Sequence, residues 1–403
     1  MKKNFGLLWT GQLFSQSGDR LTQMVLVALV AAVQPGSSLV LAQVMAATSL
    51  PALLVGPIAG AYVDRWDRKK TMIVCDLLRC GMILILPWLA APGRRGFFYA
   101  DLFSLYAVAS FFVPARLAMI PDLVPPDRLA KANAIFTTSG MVGSAVILLV
   151  GALLVEWVGT ARACWVNAFA YLASAACILP IVGKRPGPPE REESPQKIFT
   201  EVWEGIRELW GHESTRRVVG LLGLLVAGAS ASAVMGTVII QKWLGSVTKD
   251  LGFLSLWCGV GMFLGTVVYG RWGTNNPRRV VLAVSFLGSA AALGLFLGAV
   301  VGLRSGAAAS VAAGLLGFCV APAGIVTNTL VHEAHPERLH GRIFSSLGIV
   351  VNVSLISSML TAGWLGEQIG KERLLAGIAL LFATAGAALL YYGRKCQSNK
   401  ENL

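Results

Sequence analysis

Gly60-Ala61-Tyr62-Val63-Asp64-Arg65-Trp66-Asp67-Arg68-Lys69-Lys70 sets six charges within seven residues, between two long apolar runs. Such a cluster is not stable in hydrocarbon, so it reads as a short loop joining two membrane helices. Its basic excess places it on the cytoplasmic side. The rest of the chain agrees. Of 403 residues, 55% are hydrophobic and 14% charged, against about 25% charged in a soluble protein. The charges come in clumps separated by apolar runs of roughly 20 residues, enough to cross about 30 Å of hydrocarbon. Inside lipid the backbone must satisfy its own hydrogen bonds, which leaves helices or a closed barrel. Long unbroken apolar runs exclude the barrel, whose strands alternate over about ten residues.

The formal charge of +13 does not point to nucleic acid. Most Lys and Arg fall in loops on the side of Lys2 and Lys3, the positive-inside pattern, so both termini are expected in the cytoplasm of a plasma (inner) membrane protein. Attraction to anionic lipid heads accounts for the basicity. Lys2 and Lys3 imitate a signal peptide, but the apolar run behind them is too long and further spans follow, so no cleavage is expected. The seven cysteines lack metal-site or disulfide spacing and read as small apolar packers.

Twelve spans are expected, at about 5–33, 38–62, 71–91, 97–119, 132–157, 161–183, 216–244, 248–271, 278–302, 305–331, 343–369 and 372–392. The second holds Pro51 and Pro57. Residues 1–183 make a first six-helix bundle, 216–392 a second, and 393–403 a cytoplasmic tail. Between the bundles, 184–215 is polar and proline-rich at its start. Ile198, Val202, Ile206 and Leu209 then recur at helical spacing beside Trp203 and Trp210. That pattern fits an amphipathic helix on the membrane surface or a plain helical linker.

The halves echo each other. Asp64-Arg65-Trp66 returns as Gly270-Arg271-Trp272, and Pro126-Asp127-Arg128-Leu129 with Ile135-Phe136 returns as Pro336-Glu337-Arg338-Leu339 with Ile343-Phe344. The offsets are 206, 210 and 208 residues, as a duplicated six-helix unit requires.

These features together resemble a major facilitator superfamily transporter over about residues 5–392. Gly18-Asp19-Arg20 and Pro114-Ala115-Arg116…Ile120-Pro121-Asp122-Leu123-Val124-Pro125 resemble the branch holding macrolide-type drug exporters. Similar glycine-aspartate pairs occur in lysophospholipid transporters and ferroportin-like iron exporters. The resemblance implies an all-α membrane fold of two pseudo-symmetric six-helix bundles around a central cavity, with alternating access. It further implies a gate of Gly60, Asp64, Arg65, Arg68 and Arg116. In it, Asp64 sits at the N-terminus of the eleventh span, near Arg342-Ile343, where an anion gains about 0.3–2 kcal/mol. Arg116 is the candidate basic partner, and Gly60 would let the second span approach its neighbour. Gly270 stands where Asp64 stands, so the latch should be one-sided. The fifth span carries Gly140, Gly143 and Gly151 but lacks the proline of the exporter motif.

Asp19 and Arg20 lie about 21 Å along the first span, where a charge costs about 2.5–3.5 kcal/mol on the gentlest scale. Ser15, Asp19 and Gln23 share a face, which is expected to line the cavity with Arg20. Three readings stand: a coupling or substrate-contacting carboxylate, a structural ion pair, or a metal ligand. Asp76 and Arg79, at i, i+3, read as a snorkelling pair near the lipid headgroups. In the second half, Ser230, Ser232, Gln241, Thr327, Asn328, Asn352, Ser357 and Ser358 form either a mildly polar cavity wall or helix–helix glue.

His332-Glu333…His335…Glu337…His340 has no zinc-motif spacing, and no phosphate-binding glycine loop is present. The chain is therefore not expected to be an enzyme, to hold a metal or cofactor, or to use ATP; a proton gradient would drive it. The expected function is proton-coupled export of small amphipathic or hydrophobic compounds by alternating access, with an amphipathic or lipid-like substrate and the lipid bilayer as partners and a monomer as the working unit. Alternatives are a lysophospholipid transporter, a divalent-metal exporter, or a non-transporting membrane sensor.

Overall fold

The computed structural model describes residues 2–63, 65–182, 203–204, 207–211, 213–334 and 340–401, nearly all of them helical. In chain order the long helices are α1 (Lys2–Val33), α2 (Ser38–Leu54), α3 (Gly56–Val63), α4 (Arg68–Leu89), α5 (Arg95–Leu123) and α6 (Leu129–Ile178). They are followed by α7 (Glu213–Leu244), α8 (Lys249–Val268), α9 (Arg278–Leu297), α10 (Gly306–Ala334), α11 (His340–Ile369) and α12 (Lys371–Glu401). Among the described residues, nine helices are long and apolar enough to cross a membrane. The apolar α2 is short, and α1, which carries Gln12, Ser15, Gln16, Ser17, Asp19, Arg20 and Gln23, is not among the nine.

Local chemistry explains the helix ends. The expected second span is two helices, because Pro57 has no N–H to continue the ladder and the chain breaks at Val55. The fifth and sixth spans are two limbs of α6, parted at Gly159, whose φ of 80° is a backbone state open to glycine. Asp67 caps α4 by accepting the Lys70 N–H.

The chain forms two compact units. Unit 1 comprises Met1–Pro35, Val44–Phe199 and Val247–Gly252; unit 2 comprises Gly36–Gln43, Thr200–Ser246 and Phe253–Leu403. The division differs from a plain cut at the linker, since a short segment from each half belongs to the other unit.

In unit 1, α1 packs along both limbs of α6, and α4 lies against α5 and α6. Leu8, Met72, Phe112, Met119, Phe136 and Ile178 sit in its core. The opening stretch is built into this unit. Trp66 stacks on Phe111 at 5.7 Å, Val63 is buried, and Arg68 bonds the Ala118 carbonyl (2.9 Å) and the Asp122 carboxylate (2.6 Å). Arg68, expected among the gating residues, therefore ties α4 to α5. A Cβ at Gly60 would meet nothing within 4 Å, so this glycine marks no close helix approach. Asp64 lies outside the described residues.

In unit 2, α9 packs on α10 and α12, and α7 on α10, α11 and α12. Leu209 is buried with Val219, Val331, Ile343 and Leu347. The linker's apolar face thus meets protein at this point, while Trp203 and Trp210 are exposed. Ile198, Val202 and Ile206 lie outside the described residues. The tightest contact joins α8 and α10, where a Cβ on Gly261 would stand 1.9 Å from the Gly314 carbonyl oxygen. Backbone cannot recede as a flexible side chain can. Gly261→Leu is therefore expected to lower stability by about 1–3 kcal/mol or more, read as a lower melting temperature in detergent. Gly294→Leu, with open space around it, serves as the control.

Candidate functional site

The site lies in unit 1, where α1, α4, α5 and α6 bring polar groups into an apolar bundle. Arg79 of α4 is its centre, with a side chain fully buried. It donates to Asp19 Oδ1 (2.9 Å), to Ser15 Oγ (2.8 Å) and to Asp76 Oδ1 (2.5 Å), and its Nε reaches the Cys75 carbonyl. Its guanidinium carbon is 4.7 Å from the ring centres of both Phe112 and Tyr171. This cation–π clamp suits a weakly hydrated planar cation.

Asp76 is wholly buried, accepts from Ser15 as well as from Arg79, and has the Ser174 hydroxyl beside it. The snorkelling reading of Asp76 and Arg79 is overturned. The guanidinium turns inward because a second carboxylate, Asp19, completes its charge balance.

Asp19 differs from Asp76 in access. Its Oδ1 takes both the Arg79 bond and a bond from the Tyr171 hydroxyl (2.9 Å), yet the side chain remains 37% exposed. Behind it, Asn167 donates to Thr22 at 2.7 Å, and Thr22 lies 3.5 Å from the Tyr171 hydroxyl. The Tyr106 hydroxyl is also buried, with no hydrogen-bond partner among the described residues, within the electrostatic reach of Asp19, Arg20 and Arg79.

Gly18 makes this geometry possible. A Cβ there would fall 2.7 Å from a Tyr171 ring carbon and 2.8 Å from Asn167 Oδ1. The glycine before Asp19 thus lets α1 touch α6 closely enough for Tyr171 to reach the carboxylate. Gly18→Val is expected to separate the helices and destabilise the protein by about 1–3 kcal/mol. Loss of the thermal transition or a lower midpoint in detergent checks it, with Gly6→Val, in open space, as control.

The other expected site residues spread more widely. Ser15 is buried in the ion cluster, held by Asp76 and Arg79. It is therefore no part of an open wall. Arg20 donates to Gln23 at 3.2 Å, one turn along the same helix. Arg116 is half-buried, 6.0 Å from the Phe136 ring centre.

In unit 2, Ser230 and Ser358 bond each other across α7 and α11 at 2.6 Å. Asn352 and Ser357 bond carbonyls of their own helix, and Thr327 bonds Ala323 O. Asn328 is exposed on α10. The Ser230–Ser358 pair thus joins α7 to α11. No group of three or more His, Cys, Asp or Glu suited to a metal ion occurs among the described residues; His335 and Glu337 lie outside them. Glu333 pairs with Arg278.

Tyr171, Asn167 and Thr22 were not singled out from the sequence. Asn167 and Tyr171 sit at i, i+4 in an otherwise apolar run, a polar face that could have revealed them.

A buried ion cluster thus sits at the heart of one helical bundle, in a chain with nine helices among the described residues long and apolar enough to cross a membrane. The family model described as "Major Facilitator Superfamily" matches residues 8–358, and the chain belongs to that superfamily. Among curated relatives, it is 23% identical to the multidrug efflux pump Tap of Mycolicibacterium fortuitum, over 89% of this chain and 88% of that one. It is 27% identical to the candidate bacilysin exporter BacE of Bacillus subtilis (strain 168), covering 90% of each. Among solved structures, the nucleoside transporter NupG (D323A mutant) superposes with a TM-score of 0.78 at 10% identity, covering 96% of this chain and 99% of that one. A bacterial homologue of ferroportin in its inward-facing state gives 0.70 at 14% identity, covering 96% and 99%. At these identities the structures speak for the fold alone. The protein is thus a multi-pass secondary transporter of this superfamily.

Proposed function

We propose that the chain is a proton-coupled exporter of small amphipathic or hydrophobic compounds, cationic ones above all, working by alternating access from a plasma membrane with both termini in the cytoplasm. The observation that carries this reading is the sharing of one guanidinium between two carboxylates, one sealed and one open. With both carboxylates ionised, Asp19, Asp76 and Arg79 sum to one negative charge. A proton on Asp19 cancels it, and so does a cation bound against Asp19. The two compete for one charge, which is the condition for antiport. When Asp19 is neutralised, Arg79 keeps Asp76, so no unpaired charge is left in the bundle. Tyr171 holds the carboxylate in place in either state. The export roles of Tap and BacE support the direction of transport.

The remaining gate residues, Asp64, Arg65 and Arg116, belong to this proposal as a latch at the terminus-bearing end. The test is transport in proteoliposomes under an imposed pH gradient, with an amphipathic cation, a lysophospholipid and a divalent metal offered separately. Cation movement that collapses with the gradient is expected. Exclusive movement of lysolipid or of metal, or gradient-independent cation flux, would overturn the reading.

A further inference from the structure

Two carboxylates far from the Arg79 cluster do the same job in the two repeats. Glu156 Oε2 accepts the backbone N–H of Thr248 (2.9 Å) and of Lys249 (3.3 Å) and the Thr248 hydroxyl (3.1 Å), which capture the first turn of α8. Glu367 Oε1 accepts the backbone N–H of Ser38 (2.7 Å) and of Leu39 (3.3 Å) and the Ser38 hydroxyl (3.1 Å), which capture the first turn of α2. Each first turn is grouped with its glutamate in one unit, the former in unit 1 and the latter in unit 2.

The match extends to the supporting contacts. The Thr248 hydroxyl lies 2.8 Å from the Ala152 carbonyl, and the Ser38 hydroxyl lies 3.0 Å from the Gly363 carbonyl. Both carbonyls stand four residues before the glutamate. Three residues after each glutamate comes a left-handed glycine, Gly159 (φ 80°) and Gly370 (φ 91°).

At each contact the opposed positions are one alanine and one glycine, in reversed order. A Cβ on Gly252 would stand 2.6 Å from Ala152 Cβ, and one on Gly363 would stand 2.5 Å from Ala42 Cβ. The spacings between counterparts, 210 and 211 residues, agree with the repeat seen in the sequence. A negative charge accepting N–H bonds at a helix start gains from both the orphan donors and the helix dipole. The bonds break as soon as that helix start moves by more than a hydrogen-bond length.

We propose that Glu156 and Glu367 are a matched pair of gate residues, each clamping the first turn of a neighbouring helix at the end of the protein opposite its termini, and both releasing when that end opens. The inference rests on alternating access as proposed above, and on nothing about Asp19. Helices α2 and α8 begin in segments grouped with one unit and continue in the other, so a clamp on the first turn holds back any tilt of the remaining helix.

The test uses thiol labelling of full-length protein in cells. Leu41→Cys and Leu251→Cys, buried at 2% and 8% exposure, are placed in a background without native cysteines and exposed to a membrane-impermeant maleimide from outside. Pro35→Cys, in the exposed turn, reports reagent access. Glu156→Gln and Glu367→Gln are each expected to speed labelling of both buried positions by about threefold, and the pair by about tenfold, as two independent clamps would. Unchanged labelling in the double variant overturns the proposal. So does full acceleration by one variant with none from the other.

Should the double glutamine variant not reach the membrane, Glu156→Asp and Glu367→Asp carry the same readout, with the charge kept and drawn back by one methylene. Labelling needs neither cargo nor a gradient. Its failure therefore leaves the exporter reading standing, and failure of the exporter reading leaves the labelling result intact.

Discussion

Asp19→Asn should reduce gradient-driven transport to background while the protein still folds. The change keeps the shape of the side chain and an acceptor for the Tyr171 hydroxyl. Arg79 retains Asp76, so the loss in stability is held to about 1.5–3 kcal/mol, the scale of one hydrogen bond to a charged group. The cluster charge, however, becomes zero and stays there. Neither a proton nor a cation can then exchange for the other, and the protein remains in the neutral form of its cycle. Counterflow in proteoliposomes separates this from simple damage: cargo exchange without a gradient should persist, while the response to an imposed pH gradient should vanish. Wild-type, gradient-dependent rates in Asp19→Asn would remove Asp19 from the coupling role.

Arg79→Met should have the largest effect on stability. The substitution removes the positive charge between two carboxylates, one of them wholly buried. Breaking a buried pair from one side costs about 3–5 kcal/mol, because the partner charge is stranded. A marginally stable membrane protein with that deficit should be lost from the membrane fraction or aggregate in detergent. The sign of a rescue makes the argument specific: adding Asp76→Asn to Arg79→Met should restore much of the yield, since the stranded charge goes with it. If the double variant is as poor as the single, packing of the guanidinium between Phe112 and Tyr171 outweighs charge. Arg79→Lys should recover only part of the stability, because an ammonium lacks the fork that reaches Asp19, Ser15 and Asp76 together.

The Gly18-Asp19-Arg20 run was legible as a costly polar interruption deep in an apolar helix. Its partners were harder to see. Asp76 and Arg79, three residues apart, suggested a local pair at the headgroups, because a short spacing on one helix offers a partner without any tertiary contact. The structure keeps that pair but buries it, with Arg79 also spanning to Asp19 and Ser15 of α1. Gly18 resembles half of a family motif, and the nearness of Tyr171 and Asn167 gives it a physical reason. Gly60 stands the other way round, a motif glycine with open space where a Cβ would lie. Glu156 and Glu367 stand 211 residues apart, a spacing that matches the repeat in the sequence, but only the structure shows what each of them holds.

Membrane residence, the positions of most helix ends and the doubled plan all follow from short-range chemistry: apolar run length, proline and glycine at breaks, and charge clumps that hydrocarbon rejects. These were set by the sequence alone. Which buried charges meet was decided by tertiary packing, because the cost of a charge in lipid depends on partners 60 and 152 residues away along the chain. Asp19 has its place because α1, α4 and α6 converge on one guanidinium, and no spacing within a single helix carries that information.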